Sequence, residues 1–307
     1  MASTVTLAPA QMDAHRRALF GLCYRLTGSA ADAEDLVQET FRRALEHPPP
    51  DTERSLRPWL VRVATNLSID ALRRRKRERY FGPWLPEPID TERVVALEPG
   101  PEARYDLVES ATSAFLLALE VLEPKQRAAL VLCDVVGLSG PEAADALGTS
   151  AGNVRVLLHR ARGKLASYDE RRVAITPELR DRTARLLREL LLRVGLGDVE
   201  GITHLLASDA TSLHDAGGEF VAAVRPLRGP ADIARTYREI AALSPWPRAV
   251  EERELNGLPA FVVAYPEREG RYARHVVVWV ELGADGLIHG IRGVIASAKL
   301  GAVRASR

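Results

Sequence analysis

The spacing of apolar residues predicts three helices in the first 80 residues. MDAHRRALFGLCYRLTG has leucines three or four positions apart and ends at Gly28, a natural helix stop. SAADAEDLVQETFRRALEH begins at a capping Ser29 and turns from acidic to basic, the order that the helix dipole favours. The prolines of HPPPD at 47–51 break the pattern. The third helix, RPWLVRVATNLSIDALRRRKRER, ends in a run of basic residues.

The third predicted helix separates an apolar face from a polar one. At about 100° per residue, its apolar side chains cluster within a third of the turn. They are Leu60, Val63, Ala64, Leu67 and Ala71. The opposite face, which we expect to be exposed, consists of Arg62, Thr65, Asn66, Ile69 and Arg73. Such a face suits phosphate contacts and the reading of exposed bases. Trp59 either stacks on a base or is a core residue.

Residues 106–168 again predict helices, and the last two form a helix-turn-helix pattern. SGPEAADALG ends at Gly148, and TSAGNVRVLLHRARGKLAS follows after a tight turn. No acidic residue occurs from 150 to 164, and Arg162 and Lys164 add positive charge. An apolar back and a small or basic front suit a DNA major groove. The alternative is an ordinary amphipathic surface helix. The candidates for reading DNA are Asn153, Arg155, Val156, His159 and Arg160.

Beyond about residue 175 the pattern changes to short alternating runs. The helices PELRDRTARLLRELLLRVG and DVEGITHLLA come first, and GPADIARTYREIAAL lies among the runs. The predicted strands are ATSLH, EFVAAV, RAVEEREL, PAFVVAYP, RYARHVVVWVEL and LIHGIRGVIA. Helices followed by a run of antiparallel strands predict a separate α+β domain.

Length and composition predict a globular protein of two or three domains, since the chain has 307 residues, of which 46% are hydrophobic and 27% charged. It has neither an apolar run of about 18 residues nor a signal-peptide core, so we expect a cytoplasmic protein. Its histidines and its two cysteines, Cys23 and Cys133, have no ligand spacing. We therefore expect two buried reduced thiols, no metal and no cofactor.

Charge is distributed in blocks, although the net charge is only +1. Residues 1–80 carry +4, residues 81–110 carry −5, and residues 111–168 and 169–307 carry +1 each. A local positive block allows a nearly neutral protein to bind nucleic acid.

The second predicted helix is acidic beside this basic block. DNA would repel Asp32, Glu34, Asp35 and Glu39, whereas a protein partner with a basic surface would not. Compensation of the helix dipole is the alternative, and it explains Asp32 and Glu34 but explains Glu39 poorly.

These segments resemble a bacterial RNA polymerase sigma factor of the extracytoplasmic-function (ECF) group over residues 8–168. DAEDLVQETFRRALEH is similar to the region 2 helix that binds the polymerase clamp, and RPWLVRVATNLSIDALRRRKR to the helix for the −10 element. LEPKQRAALVLCDVVGLSGPEAADALGTSAGNVRVLLHRARGKL resembles region 4, which reads the −35 element through the candidates above. The resemblance implies polymerase contacts at Asp35, Gln38, Glu39 and Phe41, and −10 capture by the loop 47–57 with Trp59, Arg62, Asn66, Arg73 and Arg74.

YFGPWLPEP at 80–88 resembles the linker of one subgroup, which carries a fused SnoaL-like domain of the NTF2-like cone fold. HLLASDATSLHDAGGEFVAAVRPLRG and NGLPAFVV resemble that domain, which controls sigma activity in cis. Asp-Gly-Gly-Gly appears here as Asp-Ala-Gly-Gly at 215–218, and Asn-Pro-Asp-Lys as Ala-Ser-Ala-Lys at 296–299. These departures imply weaker or differently built control. The expected interface joins linker residues Trp84, Leu85, Pro86, Glu87 and Pro88 to a domain whose pocket or interface contains His214, Asp215, Gly217 and Gly218.

The expected fold is therefore multidomain, with two all-α sigma domains before an α+β SnoaL-like domain. Its predicted segments are region 2 at 8–80, a proline-rich then acidic linker at 81–108, region 4 at 109–170 and the SnoaL-like domain at 176–300. The expected partners are core RNA polymerase, promoter DNA and an unknown small ligand of the C-terminal domain, and the free chain is expected to be a monomer.

Two other functions stay open. One is a ligand-sensing helix-turn-helix regulator that acts without polymerase, and the other is a SnoaL-like enzyme with fused DNA-binding domains. Neighbouring residues of a strand point to opposite faces, so His214 and Asp215 would not form the convergent acid–base pair that an enzyme needs. We therefore expect no enzymatic activity.

Overall fold

The computed structural model describes residues 9–47, 52–78, 80–93, 100–101, 103–267 and 270–303. The chain divides into two compact units. The first combines Met1–Arg79 with Glu92–Asp169, and the second combines Tyr80–Thr91 with Glu170–Arg307. The predicted linker is thus divided, because its proline-rich start belongs to the second unit. Among the helices of the described residues, none has the length and apolarity that crossing a membrane requires.

The first unit is helical. Its helices are α1 (Pro9–Thr27), α2 (Ala30–Glu46), α3 (Thr52–Arg77), α4 (Ser113–Ala118), α5 (Pro124–Leu130), α6 (Gly140–Leu147) and α7 (Ala151–Arg171).

Local sequence signals set several of these helix ends. Ser29 caps α2 by accepting the N–H of Asp32. Ser139 and Glu142 form a capping box at the start of α6. Gly148 ends α6 in the left-handed conformation, with a φ of 59°, which favours glycine. These ends place α6 and α7 as the two helices of the predicted helix-turn-helix.

α3 is the central helix of the first unit, because α1, α2, α5 and α6 all pack against it. The side chains of Leu22, Leu26, Leu60 and Phe115 are fully or almost fully buried in this unit. Cys23 and Cys133 are both buried, as predicted.

The second unit contains three helices and one sheet in its described residues. The helices are α8 (Pro177–Leu196), α9 (Val199–Leu205) and α10 (Pro230–Leu243). The strands are β1 (Leu206–Asp215), β2 (Leu227–Arg228), β3 (Ala249–Leu255), β4 (Leu258–Ala264), β5 (His275–Leu282) and β6 (Ile288–Val294). The sheet order is β2-β1-β6-β5-β4-β3.

Two strand predictions were wrong. The sheet is mixed rather than antiparallel, because β1 and β6 run parallel. EFVAAV at 219–224 is not a strand; it forms a turn and loop before the short β2. Its apolar residues include the exposed Val221 and Val224, so alternation alone did not identify a paired segment there.

The two faces of the sheet contact different parts of the second unit. One face packs against the helices, in a core that includes Leu187, Ile202, Ile233, Phe261 and Val280. Asp215 pairs in register with Val294, and Val294 with Val277, so these three residues share the opposite face. Residues 80–91, which we call the strip, hydrogen-bond to this opposite face at Asp215.

Candidate nucleic-acid interface and linker site

The α7 face consists of Asn153, Arg155, Val156, His159 and Arg160, and all five side chains are exposed. On the other side of the helix, Val154, Ala161 and Leu165 are buried. The start of α7 is fixed locally, since Ser150 Oγ accepts the N–H of Asn153 at 3.2 Å and Asn153 Nδ2 donates to Thr149 Oγ1 at 2.9 Å. The face that the sequence selected for DNA is therefore presented to solvent.

Arg162 and Lys164, which add positive charge to α7, form hydrogen bonds to other parts of the first unit. Arg162 forms two hydrogen bonds, of 2.6 and 2.9 Å, with the carboxylate of the buried Asp134. Lys164 Nζ donates to the Val121 carbonyl and to Gln126 Oε1. Both cations therefore bind α7 to the rest of the first unit, although both residues are partly open to solvent.

The α3 face consists of Trp59, Arg62, Asn66, Arg73 and Arg74. Arg62, Asn66, Arg73 and Arg74 are exposed, and Trp59 is half-buried. Thr65 and Ile69, predicted on the same face, are buried. That prediction was wrong because it assumed one buried side, whereas α3 is packed by helices on several sides.

Two residues of the α3 face, Arg62 and Asn66, contact α6. Asn66 Nδ2 donates to the Ala146 carbonyl at 3.1 Å, and Arg62 Nη1 lies 3.6 Å from Asp145 Oδ1. Further along, Arg75 donates to both oxygens of Glu120 at 2.8 Å, and Lys76 Nζ donates to Glu123 at 2.7 Å.

The acidic helix α2 presents Asp35 and Gln38 to solvent. Glu39 is half-buried and accepts hydrogen bonds from Arg42 and Arg43, and these arginines lower its pKa to about 2. Phe41, also predicted to contact polymerase, is only 7% exposed, and the Arg16 guanidinium lies 5.3 Å from its ring centroid. The packing of α2 on α1 thus gives Phe41 a core position instead. Most of the predicted −10 loop at 47–57 lies outside the residues whose side chains the structure describes.

Asp215 is the centre of the linker site in the second unit. Its side chain is fully buried and accepts hydrogen bonds from Tyr80 Oη at 2.5 Å, from the Leu85 N–H at 2.8 Å and from Lys299 Nζ at 2.6 Å. Lys299 also donates to the Leu85 carbonyl at 2.6 Å. Its ammonium lies 4.5 Å from the ring centroid of Trp84. Burial, together with the Asp215 carboxylate, raises the pKa of Tyr80.

The far end of the strip is bound by the β3–β4 hairpin. The Ile89 N–H donates to Asn256 Oδ1, and the Asn256 N–H donates to the Ile89 carbonyl. Arg253 Nη2 donates to both oxygens of Asp90, at 2.6 and 2.9 Å. Leu85, Pro86, Glu87, Pro88 and Ile89 are buried between these anchors. The strip is therefore held as one peptide at both ends.

Sequence reasoning missed Arg253 and Asn256 as partners of the strip, and it noted the motif at 296–299 without assigning a contact to Lys299. Asn-Gly at 256–257 does signal a tight hairpin, and Asn256 has a φ of 52°. Nothing in that signal identifies a partner more than 160 positions away. The lysine of the family motif is still present in Ala-Ser-Ala-Lys, as Lys299. The departures at 296–298 therefore leave the ion pair between Lys299 and Asp215 in place.

Gly217 and Gly218 lie directly beside the strip. Both have positive φ, of 56° and 76°. A β-carbon on Gly218 would lie 3.0 Å from the Phe81 ring, and one on Gly217 would lie 3.3 Å from Tyr80 Oη. Ala216 is outside the positive-φ region, so the alanine of Asp-Ala-Gly-Gly fits without strain.

His214 faces away from Asp215, as strand alternation predicts. Its ring nitrogen lies 3.4 Å from Tyr237 Oη, which in turn lies 3.1 Å from Ser212 Oγ. Burial, aided by Arg292, lowers the pKa of His214 to about 4. Asp215 is bound to the strip on the other face, so these two residues do not converge on a substrate.

Comparisons with known proteins decide the family. SigJ, an ECF RNA polymerase sigma factor of Mycobacterium tuberculosis (strain ATCC 25618 / H37Rv), is 36% identical over 229 residues, which cover 73% of this chain and 70% of SigJ. The chain belongs to the ECF RNA polymerase sigma factors. Models of Sigma-70 region 2 and Sigma-70 region 4 match this sigma factor at residues 12–78 and 112–165.

Structural similarity extends over the whole sigma factor. The crystal structure of M. tuberculosis SigJ covers 96% of this chain and 99% of that one, with a TM-score of 0.69 and 27% identity. SigE of Mycolicibacterium smegmatis is 43% identical over 155 residues, which cover 50% of this chain and 58% of SigE. The predicted fold is confirmed: helical sigma domains precede a SnoaL-like unit of helices and mixed sheet. Sigma factors are non-enzymatic initiation factors that bind core RNA polymerase and promoter DNA.

Proposed function

We propose that this sigma factor directs promoter-specific initiation through the α3 and α7 faces, and that its SnoaL-like unit modulates that activity in cis by holding the strip. Asp35 and Gln38 of α2, with Glu39, contact core polymerase. The α3 face captures the melted −10 strand, and the α7 face reads the −35 duplex.

Exposure and chemistry support the assignment of the α7 face. Arginine, asparagine and histidine donors on an exposed helix match base edges and phosphates in the major groove. Arg162 and Lys164 contribute to DNA recognition indirectly, because they hold in place the helix that carries those donors.

One observation supports the cis modulation above all others. Within the buried Asp215–Lys299 pair, Asp215 accepts the N–H of Leu85 and Lys299 donates to the carbonyl of Leu85. The strip connects the two parts of the first unit along the chain, since that unit ends at Arg79 and resumes at Glu92. Its docking therefore constrains part of the chain that connects region 2 to region 4. A linker whose span changes alters how readily both regions engage one promoter.

The test is run-off transcription with core polymerase, comparing the full chain with Asp215→Asn. The substitution removes the charge that binds Lys299, so we expect the strip to loosen and the transcript yield to change at least threefold. Asp209→Asn is the matched control, because Asp209 lies on the same strand with its side chain 68% exposed. An unchanged yield for Asp215→Asn, with loosened packing shown by proteolysis within 80–91, would contradict cis modulation.

A further inference from the structure

Ser297 binds Glu219 through two separate donors. Its backbone N–H donates to Glu219 Oε2 at 2.9 Å, and its Oγ donates to Glu219 Oε1 at 2.7 Å. One residue thus occupies both oxygens of the carboxylate. Hydrogen bonds to a charged acceptor are stronger than those between neutral groups, so this is a firm contact for a half-buried serine.

Glu219 is itself held in place by the backbone around it. Its N–H donates to the Ala216 carbonyl at 2.9 Å, and its carbonyl accepts from Arg271 Nε at 3.0 Å. Arg271 also donates to the Gly218 carbonyl and accepts the N–H of Val221 at its own carbonyl. The carboxylate therefore extends from a loop that hydrogen bonds hold on both sides of Glu219.

Ser297–Leu300 form the short 3₁₀ turn that carries Lys299. Within this turn, the Lys299 N–H donates to the Ala296 carbonyl at 3.0 Å. The Lys299 ammonium donates to Asp215 and to the Leu85 carbonyl, each at 2.6 Å. Fixing the first residue of the turn therefore limits where its third residue can reach.

The departure from Asn-Pro-Asp-Lys supplies both donors to Glu219. The motif has a proline where this chain has Ser297. Proline has neither a backbone N–H nor a hydroxyl, so it could make neither bond. The alanines at 296 and 298 have no polar side-chain atom, so they cannot hold the turn as an asparagine or an aspartate could.

We propose that Glu219 and Ser297 form a lock that positions Lys299 against the strip, in place of the polar side chains that are missing at 296 and 298. This rests on the proposed modulation in cis by the strip. The lock acts on the Leu85 end of the strip through Lys299. The other end is held separately, because the Ile89 N–H donates to Asn256 Oδ1.

Amide hydrogen exchange of the full chain tests the lock, with mass spectrometry and fragmentation to resolve Leu85 from Ile89. Ser297→Ala removes the hydroxyl, Ser297→Pro removes both donors, and Ser297→Thr retains both. We expect Leu85 exchange to rise about threefold in Ser297→Ala and about tenfold in Ser297→Pro, since each variant loses hydrogen bonds to a charged acceptor. Ser297→Thr should exchange as the wild type does, and Ile89 exchange should stay unchanged in every variant.

Variants of Glu219 separate positioning from a general loss of stability. Glu219→Gln keeps the shape, but its amide nitrogen cannot accept, so it should match Ser297→Ala. Added to Ser297→Pro it should change nothing, because no bond is left to lose. Glu267→Gln, at an exposed glutamate that pairs with Arg274, is the matched control and should exchange as the wild type does. Equal rises at Leu85 and Ile89, or a further rise in the double variant, would overturn the lock.

Run-off transcription with the same variants distinguishes the lock from the modulation in cis. Faster Leu85 exchange with a yield that changes in the same direction as in Asp215→Asn supports both. Faster exchange with an unchanged yield supports the lock and contradicts the modulation. Unchanged Leu85 exchange in Ser297→Pro overturns the lock and leaves the modulation to the test of Asp215→Asn.

Discussion

The α3 and α7 faces carry similar side chains in different surroundings. Both offer arginine and asparagine donors on a helix that is buried behind. Arg155, His159 and Arg160 of α7 are exposed to solvent. On α3, Asn66 and Arg62 meet Ala146 and Asp145. The comparison teaches that a basic face on a helix indicates a candidate DNA-binding surface. Whether its donors are available to DNA depends on the groups that a neighbouring helix places beside them.

The largest expected effect is the loss of an open donor. Arg155→Ala and Arg160→Ala should each weaken binding of a −35 duplex by about 1–3 kcal/mol, or roughly 5- to 150-fold, if each arginine makes a bidentate base contact. Fluorescence anisotropy at fixed salt measures this in the full chain. Arg235→Ala removes an equal charge from an exposed site on α10 and should change binding little. Unchanged affinity in both α7 variants would mean that this face does not read the duplex.

A second variant separates reading from positioning within α7. Arg162→Ala leaves the carboxylate of the buried Asp134 without two hydrogen bonds, at a cost of about 1–3 kcal/mol in unfolding free energy. We therefore expect Arg162→Ala to lower the thermal midpoint together with duplex affinity. Arg160→Ala should lower affinity alone. Equal midpoints for the two variants, measured by circular dichroism, would remove the distinction.

The smallest effect concerns the helix that both faces share as a neighbour. Ser139→Ala removes the capping box of α6 and should lower unfolding stability by about 1 kcal/mol. Ser297→Ala, a serine at a short turn of the second unit, is the comparison variant. Chemical denaturation measures both proteins, and an unchanged midpoint for Ser139→Ala would show that the cap is dispensable.

Most elements of the fold could be predicted because their signals are local. Ser29, Ser139 and Gly148 mark helix ends through bonds to residues within five positions. Five of the six predicted strand segments overlap strands of the sheet. EFVAAV failed because alternation records which side chains are apolar, and a strand also needs a neighbour with free backbone groups.

The candidate sites were harder to predict, since their geometry depends on distant partners. Thr65 and Ile69 looked exposed because one helix considered alone has one buried side. Phe41 looked available on an acidic helix, yet it belongs to the packing of α2 on α1. The sequence showed Arg162 only as added positive charge on α7, and its ion pair with the distant Asp134 is visible only in the structure.

The sequence by itself determined the sigma family, the reading helices and the strip, because each is carried by a contiguous run of residues. The tertiary structure alone decided which cations are free and which are paired. It also decided that Asp215 binds a peptide 130 positions earlier in the chain, and that α6 lies on α3. The physical reason is that charge and burial are properties of neighbours in space, and those neighbours are set by the packing of the whole chain.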